Sequence, residues 1–393
     1  MKNRSWRALV ATLAVFALFA AACGDDDGDD TAETTASEDT TATTASEDTT
    51  ETTAPEDSGQ VSLDTLCQEA KDAGVTAPDD FTVRLVTDIG KVDDRTFNQF
   101  AYEGMIAAEE CFGFETSFIE TASEADYAKN ISDTLSADPS VIVTVGFLLA
   151  TDTLAAAEEN AEVDFIGIDQ FQTEFPDNYI GVLFREDQGG FLAGVAAGLL
   201  TESNVVGVVG GREDVPPVVR FVNAFRTGVL SVNPDARVLE VYNESFTDTA
   251  KGVSDAQQFI GEGADVIFGA GGKTGSAAVQ EATEQGKWGI GVDQDEYFTT
   301  FDGGNAPGAD RLATSAVKRV DLAVFANIVA ALDGTFAGGI FTLDAANGGI
   351  TYAPAHDADV PADVTAKLEE TRAGLADGSI DTGVDPVTGL PLE

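Results

Sequence analysis

The sequence predicts a two-lobed α/β protein in which each lobe is a parallel sheet flanked by helices. After Asp80, short β-branched or aromatic runs alternate with helical patterns, the arrangement of parallel strands joined by crossover helices. So many strand and helix units would overfill one small sheet, so they divide between two lobes. The chain is long enough for both, because 393 residues with 43% hydrophobic positions can bury a substantial core.

The first segment is an address rather than a fold. Lys2, Arg4 and Arg7 precede an apolar run from Ala8 to Ala22, the basic and hydrophobic parts of a secretory signal over 1–22, too short to remain as a spanning helix. The run ends in Ala20-Ala21-Ala22-Cys23-Gly24, which resembles a bacterial lipobox with alanine where leucine is usual, so Cys23 is expected to become a lipid-modified N-terminus. Residues 23–60 are rich in Thr, Ser, Ala, Glu and Asp and contain no Lys or Arg. Such a stretch has too little apolar surface to offset its ordering entropy, and it reads as an extended acidic tether from a membrane.

An N-terminal extension over 61–80 holds a helix from Leu63 to Ala73. Strands follow at Phe81 to Thr87, Thr116 to Glu120, Val141 to Val145, Asp164 to Ile168, Tyr179 to Phe184, Val205 to Val209, Arg237 to Tyr242, Val266 to Phe268 and Gly289 to Val292. Helical patterns lie between most of them, at Phe97 to Cys111, Glu124 to Ser136, Leu149 to Asn160, Gln188 to Leu200, Pro216 to Val232, Ala250 to Glu262 and Ser276 to Gln285, with another at Val317 to Leu332. Lobe 1 is expected over 81–185 and 294–325, lobe 2 over 186–293 and 326–357, and a C-terminal helix and tail over 358–393. In an exported protein Cys67 and Cys111 can pair as a disulfide; the alternative is two buried thiols.

Composition excludes several functions. The 69 Asp and Glu against 21 Lys and Arg give a net charge of −48, which repels phosphate backbones, so no nucleic-acid partner is expected. A single histidine, His356, and three cysteines leave too little for a Cys/His metal cluster, and a histidine-dependent hydrolase would have to be built on His356 alone. No metal or cofactor is expected. Gly272-Lys273-Thr274 imitates a phosphate loop, but that motif needs glycine at Ile267, inside a strand.

Open parallel sheets bind ligands beyond the carboxyl ends of their strands, so those ends carry the functional reading. Here they hold Asp88, Gly146-Phe147, Asp169-Gln170, Gly210-Gly211, Gly269 to Gly272 and Asp293-Gln294-Asp295. Carboxylates such as Asp88, Asp169 and Asp293 accept hydrogen bonds from hydroxyls or ring N–H groups and reject anions. Phe97, Phe147 or Phe268 can cover a planar ring, and Gly271 and Gly272 let backbone approach it. The pattern fits a neutral ligand with a flat ring and several hydroxyls.

The segment from Thr87 through Asp88-Ile89-Gly90, Asp93-Asp94-Arg95-Thr96-Phe97-Asn98-Gln99 and on to Gly104 resembles the first-strand signature of the basic membrane protein family, the purine nucleoside receptor lipoproteins. Gly146-Phe147, Ile168-Asp169, the run from Pro217 to Gly228, Ala270 to Gly275, Gly291 to Asp295 and Ser315 to Lys318 match in order, so the resemblance covers about Phe81 to Pro354. It implies a type I periplasmic-binding-protein fold with a hinged cleft between the lobes. It also implies a non-enzymatic, lipid-anchored substrate-binding protein on the extracytoplasmic face of the membrane, delivering a nucleoside, purine by family, to the permease of an ABC importer. By the same resemblance Asp88, Asn98, Asp293 and Lys318 bind the ribose, Asp169 reads the base edge, Phe97 stacks on one base face, Phe268 or a nearby aromatic covers the other, and Gly271 lines the wall. Arg95 and Thr96 stand where Lys and Ser are common, and Lys273 is inserted into the usual Ala-Gly-Gly-Thr-Gly run. The alternatives are a sugar or signalling-ligand sensor of the same fold, or a nucleoside or glycoside hydrolase using paired carboxylates.

Overall fold

The computed structural model describes residues 61–392; the expected signal, Cys23 and the tether to residue 60 lie outside the described residues. Helix α1 (Leu63–Asp72) precedes the first lobe, which then runs through β1 (Thr82–Ile89), α2 (Phe97–Phe112), β2 (Glu115–Thr121), α3 (Tyr127–Leu135), β3 (Val141–Val145), α4 (Ala150–Glu159), β4 (Asp164–Ile168) and β5 (Tyr179–Phe184). The chain crosses at Arg185 into α5 (Glu186–Leu200), β6 (Val205–Gly210), α6 (Pro216–Val232), β7 (Arg237–Tyr242), α7 (Thr249–Gly261), β8 (Val266–Ala270), α8 (Gly272–Glu284), β9 (Trp288–Asp293) and β10 (Leu312–Lys318). It returns at Arg319 into α9 (Val320–Asp333) and β11 (Gly339–Leu343), then crosses a third time to β12 (Ile350–Tyr352) and α10 (Ala362–Asp377).

Two six-stranded sheets result, in the orders β11-β5-β4-β3-β1-β2 and β12-β10-β9-β8-β6-β7. Every pairing within them is parallel except that of β12 with β10. Helices cover both faces, which is why β3, β8 and β10 are buried at every position and read as continuous apolar or small-residue runs instead of alternating ones. Helix α5 is apolar nearly all round because it is sandwiched at the centre of lobe 2. A Cβ added to Gly194 would sit 2.1 Å from the Phe225 carbonyl of α6, so glycine there sets how closely the two helices pack.

The lobe boundaries expected for the last third of the chain are corrected. Strand β10 belongs to the second sheet, not to lobe 1, whereas β11 completes the first. Helix α9 packs against α2 of lobe 1, β12 returns to lobe 2, and α10 packs on α5 there. The cause lies at the crossovers: Lys318 ends a strand instead of sitting in the helix expected from Val317. Each of the first two crossings is fixed by an arginine fork on the carboxylate two residues later: Arg185 on Asp187 at 2.7 Å and Arg319 on Asp321 at 2.8 Å.

Cys67 of α1 and Cys111 of α2 form a disulfide with a Cα–Cα distance of 5.9 Å. Helix α1 has no buried residue and otherwise rests on α2 and α9 through the half-buried Leu63 and Leu66. Reduction is therefore expected to release α1 and leave both lobes folded. Hydrogen exchange with and without reductant checks this: protection should fall in 63–72 alone, and global unfolding on reduction would contradict it.

Candidate binding site

The carboxyl ends of both sheets face one cleft, lined from both lobes. Its wall includes Asp88, Phe97, Asn98, Phe147, Asp169, Gly271, Asp293 and Lys318. Of the residues expected there, Phe268 is the exception. It is wholly buried in the core of lobe 2, stacked on Phe225 at 5.3 Å and edge-on to Phe221. It lies mid-strand in a sheet covered on both faces, so it packs against α6 rather than reaching the strand end. The aromatic walls from lobe 2 are instead Phe246, in the loop after β7, and Phe221 of α6. Phe246 has room because position 211 is glycine; a Cβ there would come within 2.2 Å of its ring.

Asp169 and Asp293 occupy equivalent places, one residue past β4 and at the end of β9, with φ of 62° and 64°. Aspartate is among the few residues other than glycine that take this left-handed turn readily, and each is followed by glutamine. Gln170 is held inside lobe 1, its amide donating to the Gly146 carbonyl at 3.0 Å while Tyr179 donates to its Oε1 at 2.6 Å. Gln294 crosses between lobes, donating to the Thr96 carbonyl at 2.6 Å.

The N-terminus of α2 presents Phe97 and Asn98. Asp94 caps it, accepting from the amides of Thr96, Asn98 and Gln99 at 2.9 to 3.1 Å. Asn98 is largely occupied by the protein: its Oδ1 accepts from the Asp88 amide at 3.0 Å and its Nδ2 donates to Asp94 at 2.9 Å, so one amide hydrogen remains. Asp88 accepts from the Ile89 amide and from the Tyr127 hydroxyl. Gly146, at φ 107°, leaves the space that the Asp88 carboxylate fills.

Lys318 anchors the floor. Its Nζ lies 2.7 Å from Asp169, 2.9 Å from Glu186, and 5.0 and 4.7 Å from the ring centres of Phe97 and Phe184. Glu186 reaches on to Arg220 at 2.6 Å, extending the buried ion network into α6. Burial works against the Lys318 charge, yet Asp169, Glu186 and Asp293 raise its pKa to about 12. Burial pushes Asp293 up to about 7 against the pull of Lys318, and Asp88 up to about 6 although Tyr127 and Ile89 donate to it. Asp169 is also raised by burial, opposed by Lys318. Among the carboxylates of the cavity wall, Oδ1 of Asp169 is buried without a partner, and no hydrogen bond from the described residues reaches the Asp293 carboxylate.

Residues 81–371 match the profile of the Bmp family, described as ABC transporter substrate-binding protein PnrA-like. The chain belongs to this family. It is an extracytoplasmic substrate-binding protein of an ABC importer and not an enzyme. Over 326 residues it is 34% identical to the CD4+ T-cell-stimulating antigen of Listeria monocytogenes, covering 78% of this chain and 89% of that one. It is 31% identical to the ABC transporter nucleoside-binding protein BmpA of Lactococcus lactis, with 77% and 88% covered. A crystal structure of an ABC transporter solute-binding protein from Aeropyrum pernix shares the fold with a TM-score of 0.68 at 24% identity, covering 77% of this chain and 92% of that one. The two-lobe type I periplasmic-binding-protein architecture of this PnrA-like protein follows.

Other features of this PnrA-like protein fall into place around the cavity. His356 is outside its wall, paired with Asp295 at 2.7 Å and stacked on Tyr297 at 4.0 Å. Lys273 lines it and, among the described residues, has no ion-pair or hydrogen-bond partner for its side chain. The stretch that imitates a phosphate loop is the start of α8, which begins directly after β8 with no intervening loop long enough to wrap a phosphate chain.

Proposed function

We propose that the cavity binds a nucleoside, which the protein presents to an ABC permease while a lipid on Cys23 holds it at the membrane. The observation that carries the reading is one cavity combining an aromatic wall from each lobe with carboxylate acceptors the protein leaves unused. Phe97 and Phe246 cover the faces of the base, and Asp169 accepts from a ring N–H through Oδ1. Asp88, Asp293, the remaining Asn98 hydrogen and Lys318 hold the sugar hydroxyls. The unpaired Lys273 adds a donor on the lobe-2 wall and favours a base with a carbonyl, as in inosine or guanosine, over adenosine.

Calorimetry on ligand-stripped protein against inosine, guanosine, adenosine, cytidine, uridine and ribose tests this. Nucleoside binding is expected to weaken by about 10-fold in Phe246→Ala, on loss of an aromatic contact. Oxopurine preference is expected to vanish in Lys273→Ala. Hydroxyl donors favour the ionised form of Asp293 and Asp88, so binding releases protons and affinity rises with pH between about 5 and 8. Heat from ribose or other sugars but from no nucleoside would move the ligand to the sugar class, and turnover of a bound nucleoside would contradict a receptor.

A further inference from the structure

We infer that Arg212 and Glu124 form a clasp that holds the cleft shut. All three chain crossings leave from β5, β10 and β11 and enter α5, α9 and β12, so the hinge lies along the β11 and β12 edges of the two sheets. The opposite edges, β2 and β7, mark the mouth. Glu124 begins the short 3₁₀ turn between β2 and α3, and Arg212 follows β6, the strand beside β7. The Arg212 guanidinium pairs with Glu124 across the mouth. The ion network of Lys318 and the Gln294 bond also join the lobes, but they start from the ends of β10 and β9, nearer the hinge. An attraction at the mouth acts with the longest lever arm against opening.

Both halves are built for the task. Asp214 grips Arg212 from behind with two bonds of 2.8 and 2.6 Å, so the remaining guanidinium nitrogen is aimed rather than free to rotate. Ser123 caps the Glu124 turn by accepting from the Ala125 amide. Each half also abuts the ligand wall. Tyr127, three residues after Glu124, donates to Asp88, and Gly211, beside Arg212, makes the space for the Phe246 ring. A ligand that orders Asp88 and Phe246 thereby sets the two halves in register, and Arg212 and Glu124 act as positioning residues for ligand retention. This holds whatever the ligand is.

The test needs no ligand. Spin labels on Ser132→Cys of α3 and Ser254→Cys of α7, both exposed, report lobe separation in the full-length, ligand-stripped chain in detergent. Glu124→Gln is expected to raise the ratio of open to closed molecules by about 3- to 5-fold, the range of a partly exposed ion pair, and Glu124→Lys to raise it further. Raising salt from about 50 to 500 mM should open the wild type more than Glu124→Gln, because only the wild type has the exposed pair to screen, while the buried pair of Lys318 and Asp169 is common to both. A distance distribution in Glu124→Lys identical to the wild type, or equal salt response in wild type and Glu124→Gln, overturns the clasp. Failure of nucleosides to bind would not.

Discussion

Replacing Lys318 with methionine is expected to lower the unfolding free energy by about 3–5 kcal/mol at pH 8, the cost of removing one partner from a buried ion network. Methionine keeps most of the stem volume, so the loss reports the charge. Glu186 retains Arg220 at 2.6 Å and stays compensated. Asp169 does not: its Oδ2 loses the Lys318 donor at 2.7 Å, while its Oδ1 has no partner among the described residues. The orphaned Asp169 is raised by burial and would escape by taking up a proton, so the deficit should shrink as pH falls toward 5. Asp169→Asn added to Lys318→Met should recover part of the stability, because it removes the uncompensated charge. Urea unfolding across pH checks all of this. A loss under about 1 kcal/mol at pH 8, or no recovery in the double variant, would mean that Lys318 sits there for the ligand and contributes little to the fold.

The alternation of strand and helix was legible because β-branched runs and 3.6-residue patterns are local signals. Strands β10 to β12 were not, and the lobe boundaries went wrong with them. Leu312 to Lys318 sets only Leu312 and Val317 among small and polar residues, and what makes it a strand is burial between β9 and β12, a tertiary fact. At the cavity, Asp88, Asp169 and Asp293 were readable because open parallel sheets bind ligands beyond the carboxyl ends of their strands, and these carboxylates stand there. Phe268 misled because a phenylalanine near a strand end looks the same whether it faces core or cleft. Phe246 was missed for the opposite reason: its loop carries no pattern, and its place depends on Gly211, 35 residues earlier. Asp94 read as one polar residue among several, yet it caps the helix that presents Phe97. The Glu124 and Arg212 pair joins residues 88 apart and has no local signature.

Asp293→Asn is expected to stabilise the ligand-free protein at neutral pH while impairing its function. Burial raises the Asp293 pKa from 3.8 to about 7, so the folded state binds its proton more tightly than the unfolded state does. Below pH 4 the carboxyl is protonated in both states and contributes no penalty. As pH rises from about 4 to about 7 the unfolded chain ionises while the folded one resists, so stability falls by about 1.4 kcal/mol per pH unit, a total of about 4 kcal/mol, and the loss levels off above pH 7. Asparagine removes that term, fits the left-handed φ of 64°, and keeps the shape of the side chain. The difference in unfolding free energy between variant and wild type should therefore be near zero at pH 4, grow with pH and level off above 7. Asp88 and Glu296 are also raised by burial, but both are present in the two proteins and cancel in the difference. Loss of a charged acceptor for two hydroxyls should weaken nucleoside binding by about 100-fold or more. On the proposed function the buried carboxylate would be held for the ligand: the fold accepts a less stable empty cleft, and entering hydroxyls would supply the hydrogen bonds the fold withholds. A difference curve that stays flat from pH 4 to 8 would show that Asp293 is solvated in the empty cleft and stores no such penalty.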